Sequence, residues 1–174
     1  MKLREEILRE HSKKQTEKIA AWVCLDKKRF TTLLHLFFHD EYRVVQRTAW
    51  VVKLVADQHP EWTNPYIRKM LLYCKQPVHD AVKRNVVNIL QDIDLPENLQ
   101  GLAATTCFDF LGTPNLPVAI KVFSMTVLYN ITKQHPELRN ELKTLIEEQM
   151  EYESAAFRSR GSKVLKQLAK QQLL

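Results

Sequence analysis

The chain has 174 residues, of which 45% are hydrophobic and 26% charged, and its formal net charge is +6. That length suffices for one folded domain with a sizeable core, and the composition is ordinary for a globular protein. No apolar run approaches the roughly 20 residues that span a bilayer, and the charged N-terminus lacks the apolar core of a signal peptide. With three glycines in all, glycine-rich phosphate-binding loops are excluded. Three widely spaced cysteines fit reduced core thiols, so we expect a cytoplasmic protein.

Taken in chain order, the predicted elements are all helices. Residues 2–11 form a short charged helix, and polar residues suited to the N-cap position then open further helices. These starting residues are Ser12, Asp26, Asp40, Asn64 and Ser154. Ser12 with Gln15 three residues later also matches a capping box. Gly112 follows a long apolar segment and is suited to end its helix.

The dipeptide Pro-Glu occurs three times, at prolines 60, 96 and 136, with intervals of 36 and 40 residues. Proline suits the first helical turn because its missing N–H costs nothing there, and glutamate favours the positive end of the helix dipole. Six, ten and fourteen residues after each proline lie side chains that share one helical face. All but Thr106 are apolar or aromatic: Tyr66, Met70, Cys74, Leu102, Thr106, Phe110, Leu142, Ile146 and Met150. Each Pro-Glu therefore predicts the second helix of a pair.

A Pro-Val step also recurs 40 residues apart, at Pro77-Val78 and Pro117-Val118, and we expect it to start the first helix of a pair. A period near forty residues with two helices per unit is typical of stacked helical hairpins. In its Pro-Glu helix starts and the apolar ladders behind them, the chain resembles the HEAT/armadillo-like class of α-solenoids over roughly residues 12–170. One helical pair cannot bury its own apolar face, so such units stack and share a continuous core.

We therefore predict an all-α fold, a right-handed α–α superhelix of about four to five stacked helical hairpins. The predicted organisation is a single helical-repeat domain over residues 1–174. Within it, residues 1–11 form an N-terminal capping helix, residues 12–153 form the hairpins, and residues 154–174 form a basic C-terminal capping helix.

This architecture predicts a non-catalytic binding or scaffold module that presents a concave helical surface to a protein or peptide partner. No Walker-type loop, dinucleotide fingerprint, nucleophile elbow or Cys-x-x-Cys pair is present, so we predict neither an enzyme nor a cofactor. The predicted binding residues combine cations with one aromatic ring: Arg43, Arg47, Trp62, Arg68 and Lys69.

Nucleic-acid binding is the alternative. Trp50 has Asp57 two helical turns further on, with Arg43 and Arg47 before it. An aromatic floor with a carboxylate and arginines is suited to hold an extruded base, and some DNA-alkylation-repair glycosylases resemble HEAT repeats in architecture. Positive charge is interrupted, however, because residues 139–153 carry five acids against two bases. A duplex followed along the whole groove needs continuous positive charge, so this interruption disfavours a dedicated DNA clamp.

The histidines allow two further interpretations. His35 and His39 lie four residues apart on a predicted helix, a spacing at which two imidazoles can share a metal. No third ligand lies nearby in the sequence, so we predict no metal site. His59 and His135 hold equivalent positions in a recurring Gln-His-Pro-Glu turn. Their repetition favours a structural role, such as binding the last carbonyls of the preceding helix.

Overall fold

The computed structural model describes residues 1–171, and within that part the regular elements are all helical. The first four helices are α1 Leu3–Arg9, α2 Lys13–Val23, α3 Lys27–His39 and α4 Tyr42–Gln58. A short helix, α5 Pro60–Thr63, leads through a 3-10 turn at Asn64–Tyr66 into α6 Ile67–Cys74. The later helices are α7 Asp80–Leu90, α8 Glu97–Gly112, α9 Val118–Ile131, α10 Arg139–Gln149 and α11 Ala155–Gln171, with a 3-10 turn at Pro136–Leu138 before α10. The predicted all-α class is confirmed.

The chain divides into two compact units, one over Met1–Ile89 and one that begins at Leu90. In the first unit, α4 packs against α1, α2 and α3. In the second unit, α9 packs against α8, α10 and α11. The single-domain organisation over residues 1–174 stays a prediction, and residues 172–174 of its C-terminal helix lie outside the described part of the chain. No helix within residues 1–171 has the length and apolar character needed to cross a membrane.

The apolar ladders behind the Pro-Glu steps form part of the two cores, as their periodicity predicts. Most ladder side chains are buried: Met70, Cys74, Thr106, Phe110, Leu142 and Ile146. The polar member, Thr106, is only 2% exposed. Its hydroxyl donates to the carbonyl oxygen of Leu102, one turn earlier, at 2.8 Å. A buried hydroxyl without a partner destabilises a core, so this bond explains how a polar residue fits the ladder.

Several predicted helix starts are confirmed by the hydrogen bonds of their cap residues. Ser12 Oγ accepts from the Gln15 N–H at 3.2 Å, and Asp26 Oδ1 accepts from the Lys28 N–H at 2.9 Å. Each bond satisfies one of the amide groups that a helix leaves without an internal partner. The Gln15 side chain, however, donates to Glu6 rather than closing the capping box.

Three predicted helix starts are wrong. Asn64 is not an N-cap, because it has helical backbone angles as the C-cap of α5 and the first residue of the 3-10 turn. Asp40 does not cap α4, which begins after Glu41. Instead, the Asp40 carboxylate receives the Arg4 guanidinium, with Nε 3.0 Å from Oδ2 and Nη2 3.1 Å from Oδ1. The Pro77-Val78 step lies before α7 rather than at its start. There His79 Nδ1 accepts from the Ala81 N–H at 2.8 Å, so the histidine does the capping.

The predicted end of α8 is also different. Gly112 is the last residue of the helix itself and does not adopt a positive φ. Thr113 follows in an extended conformation, and its hydroxyl donates to the Asp109 carbonyl at 2.6 Å. That bond satisfies one of the last helical carbonyls, which removes the need for a left-handed glycine.

The two copies of the Gln-His-Pro-Glu turn have the same local geometry. His59 has φ −135° and ψ 65°, and His135 has φ −122° and ψ 73°. In each copy the histidine Nδ1 lies beside the glutamate two residues later, at 3.1 Å for Glu61 and 3.3 Å for Glu137. In each copy the main-chain N–H of the histidine, rather than its imidazole, donates to a carbonyl of the preceding helix. The predicted structural role thus takes a different form, a histidine–glutamate pair that braces the turn.

Candidate functional site

The predicted binding residues all lie in the first unit, but the structure gives them different tasks. Arg47 is committed to the fold, since its Nη1 donates to the carbonyls of Ile7 at 3.1 Å and Leu8 at 2.8 Å. These are among the last carbonyls of α1, which attract a cation. Arg47 therefore fastens α1 onto α4. Arg43, one turn earlier in α4, is exposed.

Arg68 and Lys69 lie together on α6 and are exposed. Leu72, four residues after Arg68 and so on the same side of the helix, is 45% exposed. We call these three residues the α6 face. The Lys69 ammonium sits 4.1 Å from the centroid of the Phe38 ring and 3.4 Å from His39 Nε2. This cation–π contact orients Lys69. Within residues 1–171, Arg68 has no comparable contact with an aromatic ring.

Trp62 lies just before this face, in α5, and is half-buried. Its ring stacks on the His59 imidazole with 3.9 Å between centroids and 7° between planes. The Phe30 ring packs on it at a centroid distance of 6.0 Å. Trp62 is therefore an immobilised aromatic surface rather than a free side chain.

The alternative nucleic-acid residues share α4. Trp50 is half-buried there, and Asp57 lies in its last turn with 41% of its side chain exposed. Asp57 Oδ1 is 2.5 Å from the Lys53 ammonium. This ion pair neutralises the Asp57 carboxylate, which base excision would require in a free form. The assignment of Asp57 to a nucleic-acid site stays a prediction.

The two histidines of α3 are neighbours, with 5.2 Å between the ring centroids of His35 and His39. Within residues 1–171, no three metal-ligating side chains are grouped closely enough to hold an ion. His39 instead faces Lys69, as described above.

A cavity of about 470 Å³ opens in the second unit, between α8 and the segment that leads from the His135 turn into α10. Its size falls in the range typical of ligand sites, roughly 300–1,000 Å³. The apolar part of its wall consists of Ala104, Phe108, Ile131 and Leu138. Three carboxylates also line it: Asp109, Glu137 and Glu141. We call it the acidic cavity.

A hydrogen-bond network holds one wall of the acidic cavity rigid. Gln100 is 4% exposed, and its Oε1 lies 2.9 Å from His135 Nε2. The Gln100 amide donates to the Leu95 carbonyl and to Gln134 Oε1, both at 3.0 Å. Because both amide hydrogens and the carbonyl oxygen of Gln100 have partners, the side chain is held in place and shapes the wall of the cavity.

The acidic cavity was not predicted from the sequence. The acid-rich composition of residues 139–153 and the lack of Lys and Arg in 96–111 were a signal for it. What composition does not reveal is which side chains of these two helices point into one space.

Comparison with known proteins decides the family. A family model described as a HEAT repeat domain matches residues 3–168. The chain belongs to the HEAT repeat family. No curated protein and no solved structure matches it significantly. The HEAT repeat match covers both compact units and agrees with the helical-repeat architecture predicted from the Pro-Glu spacing. HEAT repeats commonly mediate protein interactions, and the family is typically non-enzymatic.

Proposed function

We propose that this HEAT repeat chain is a non-catalytic scaffold module whose α6 face contacts a protein or peptide partner. The observation that carries the proposal is the exposure of apolar Leu72 on the same short helix as two exposed cations, Arg68 and Lys69. Arginine and aromatic residues dominate the energetics of protein interfaces, and exposed apolar side chains beside them gain from burial.

The neighbourhood of the α6 face supports a preformed contact surface. Lys69 is oriented by the Phe38 ring, and Trp62 is held by its stack on His59. Side chains that are fixed before binding lose little entropy when a partner arrives. Two cations on the rim select a partner segment that carries Asp or Glu beside an apolar residue.

Affinity capture tests this function. The tagged full chain is used as bait in a lysate of the native host at about 0.15 M salt, with and without nuclease. We expect one discrete protein that survives nuclease treatment and is lost with Arg68→Glu/Lys69→Glu. The matched control is Lys163→Glu/Lys166→Glu, which reverses two exposed charges on α11 and leaves capture unchanged. Partners that vanish with nuclease contradict the proposal.

Nucleic-acid binding is the second candidate, and α11 favours it. This helix carries five basic residues and no acid: Arg158, Arg160, Lys163, Lys166 and Lys170. Phosphate contacts release counterions, so affinity for nucleic acid falls steeply as salt rises, whereas a partly apolar protein contact changes little. If the chain excises bases, Asp57→Asn abolishes base release while the thermal unfolding curve stays unchanged. Base release that survives Asp57→Asn removes this assignment.

A further inference from the structure

We propose that the acidic cavity of the second unit is a subsite for one arginine or lysine side chain of a bound peptide segment. The inference rests on the proposed function in that the occupant is part of a protein partner. The acidic cavity is then a second contact site, opposite in charge to the basic α6 face. It predicts that the partner carries an arginine or lysine.

Two of the three carboxylates of the acidic cavity have no ion-pair partner within residues 1–171. Asp109 and Glu141 line the cavity, both are exposed, and neither carboxylate forms an ion pair within the described residues. Glu137 is also exposed, and one of its oxygens is beside His135 Nδ1 at 3.3 Å. Carboxylates gathered around one opening raise the local concentration of cations even though the whole chain is positive.

The two bases of α10 lie on a different side of the helix from Glu141, together with the acid Glu147. Glu141 lines the acidic cavity, whereas Arg139 and Lys143 line a separate cavity of about 250 Å³ between α10 and α11. Arg139 Nη1 donates to the Gln171 carbonyl at 3.4 Å, and Lys143 lies 3.9 Å from Glu147. The two bases of α10 are therefore engaged elsewhere, and no Lys or Arg lines the acidic cavity.

The shape of the acidic cavity and the polarity of α8 also suit a long basic side chain. Phe108 and Leu138 give the cavity an apolar wall against which the methylene stem of a long basic side chain packs. A guanidinium also gains from the face of an aromatic ring. Asp109 belongs to the last turn of α8, where the helix dipole is negative and adds to the attraction for a cation. A neutral polar side chain of the same length gains only the packing term.

The test uses the full-length chain labelled with ¹⁵N and a defined probe, the peptide acetyl-Gly-Ser-Arg-Ser-Gly-amide. A twin peptide with citrulline in place of arginine keeps the shape and removes the charge. Titration to about 10 mM covers the weak affinity of a single side chain. We expect the arginine peptide to shift the amide signals of Gly101, Thr105, Phe108 and Glu141, and the citrulline peptide to leave them in place.

Matched variants make the test specific to the cavity carboxylates. Asp109→Asn/Glu141→Gln keeps the side-chain shapes and is expected to weaken arginine-peptide binding about fivefold, the combined effect of two partly exposed ion pairs. The control, Glu97→Gln/Glu148→Gln, removes two exposed charges from the same two helices outside the cavity and leaves affinity unchanged. Thermal unfolding of both variants confirms that they fold.

Three results overturn the inference: no shift at the cavity amides, equal binding of the citrulline twin, or unchanged affinity in Asp109→Asn/Glu141→Gln. Each is separable from failure of the proposed function. If the Asp109→Asn/Glu141→Gln bait still captures the protein that binds the α6 face, the scaffold function stands. The assignment of the acidic cavity is then wrong.

Discussion

The Lys121 ammonium and the Glu153 carboxylate form an ion pair with 2.6 Å between Nζ and Oε1, although Lys121 is only 2% exposed. Gln149 Oε1 accepts a second hydrogen bond from the same ammonium at 2.8 Å, and the Phe157 ring centroid lies 5.9 Å away. Burying an ammonium is costly unless it is paired and hydrogen-bonded. This pair therefore fastens α9 to the loop between α10 and α11.

Lys121→Met is expected to lower the free energy of unfolding by about 1–2 kcal/mol. Methionine keeps the stem of the side chain, and Glu153 is left without its partner. The loss stays below the roughly 3–5 kcal/mol expected for a fully buried pair. The Glu153 side chain is 24% exposed, so water can hydrate its carboxylate once Lys121 is removed. Urea denaturation measures it. Adding Glu153→Gln should recover part of the loss, and a double variant less stable than Lys121→Met contradicts this account.

Gly161→Ala is expected to destabilise the second unit by about 1–2 kcal/mol through overpacking. A methyl group at this position meets Ile146 Cγ2 at 2.9 Å and Met150 Sδ at 3.0 Å, so α10 and α11 have to move apart. Gly101→Ala is the matched control, since nothing lies within 4 Å of a Cβ there. That control should stabilise α8 by about 0.5–1 kcal/mol because alanine has the better helix propensity. If Gly161→Ala and Gly101→Ala change the free energy of unfolding in urea equally, the close approach of α10 and α11 at Gly161 is wrong.

Cys24 and Cys107 should react with iodoacetamide in a fixed order. Burial raises the pKa of the Cys107 thiol to about 12, whereas Cys24 is half-buried and burial raises its pKa less. Only the thiolate is nucleophilic, so Cys24 should be alkylated first at pH 8, and Cys107 only after unfolding. Mass spectrometry of partially labelled chains measures this order. Labelling of Cys107 in the folded chain at the rate of Cys24 contradicts it.

The same shift makes alkaline conditions destabilising. The unfolded Cys107 thiol loses its proton near its ordinary pKa of about 8.5, while the folded one keeps it. Between that value and about 12 the folded state holds more protons, so stability falls as pH rises. Cys107→Ala should flatten this alkaline slope in urea unfolding between pH 8.5 and pH 10. A slope unchanged by the substitution argues against burial as its cause.

Asp40 should add to the loss of stability in acid. Hydrogen bonds from the Arg4 guanidinium hold the pKa of this carboxyl below its ordinary value. The stabilisation is therefore complete above about pH 3.9 and is lost as pH falls through the lower folded pKa. Asp40→Asn should lower the free energy of unfolding at neutral pH. It should also make that free energy fall less steeply as the pH is lowered. The control is Asp94→Asn, an exposed carboxylate outside this pair. Identical acid profiles for the two variants contradict the assignment.

The fold was predictable because its signals are local. The Pro-Glu spacing and the i, i+4 ladders reflect packing that every repeat needs, and Met70, Phe110 and Ile146 are buried as expected. Helix ends were less predictable, because nearby polar side chains compete for the cap, as His79 and Thr113 do, and a distant residue can remove a cap. Arg4 takes the carboxylate of Asp40 from 36 residues away, and no local pattern announces that contact.

The candidate sites show the same division. Arg68 and Lys69 are exposed on α6, where their cationic character predicted a contact surface. Arg47 looked equivalent in the sequence, yet the carbonyls that it binds belong to α1, about 40 residues earlier. The acidic cavity depends on Gln100 meeting His135, two residues whose types and positions give no indication that they touch.

The most direct measurement of the scaffold function is site-specific photo-crosslinking at Leu72 in living host cells. Leucine is replaced there by p-benzoylphenylalanine, which leaves Arg68 and Lys69 in place beside it. Our account predicts a cross-link to one protein that resists nuclease and disappears when Arg68→Glu/Lys69→Glu is added. Cross-links to nucleic acid alone, or none above those formed from Tyr152, an 86% exposed position in the second unit, would contradict the account.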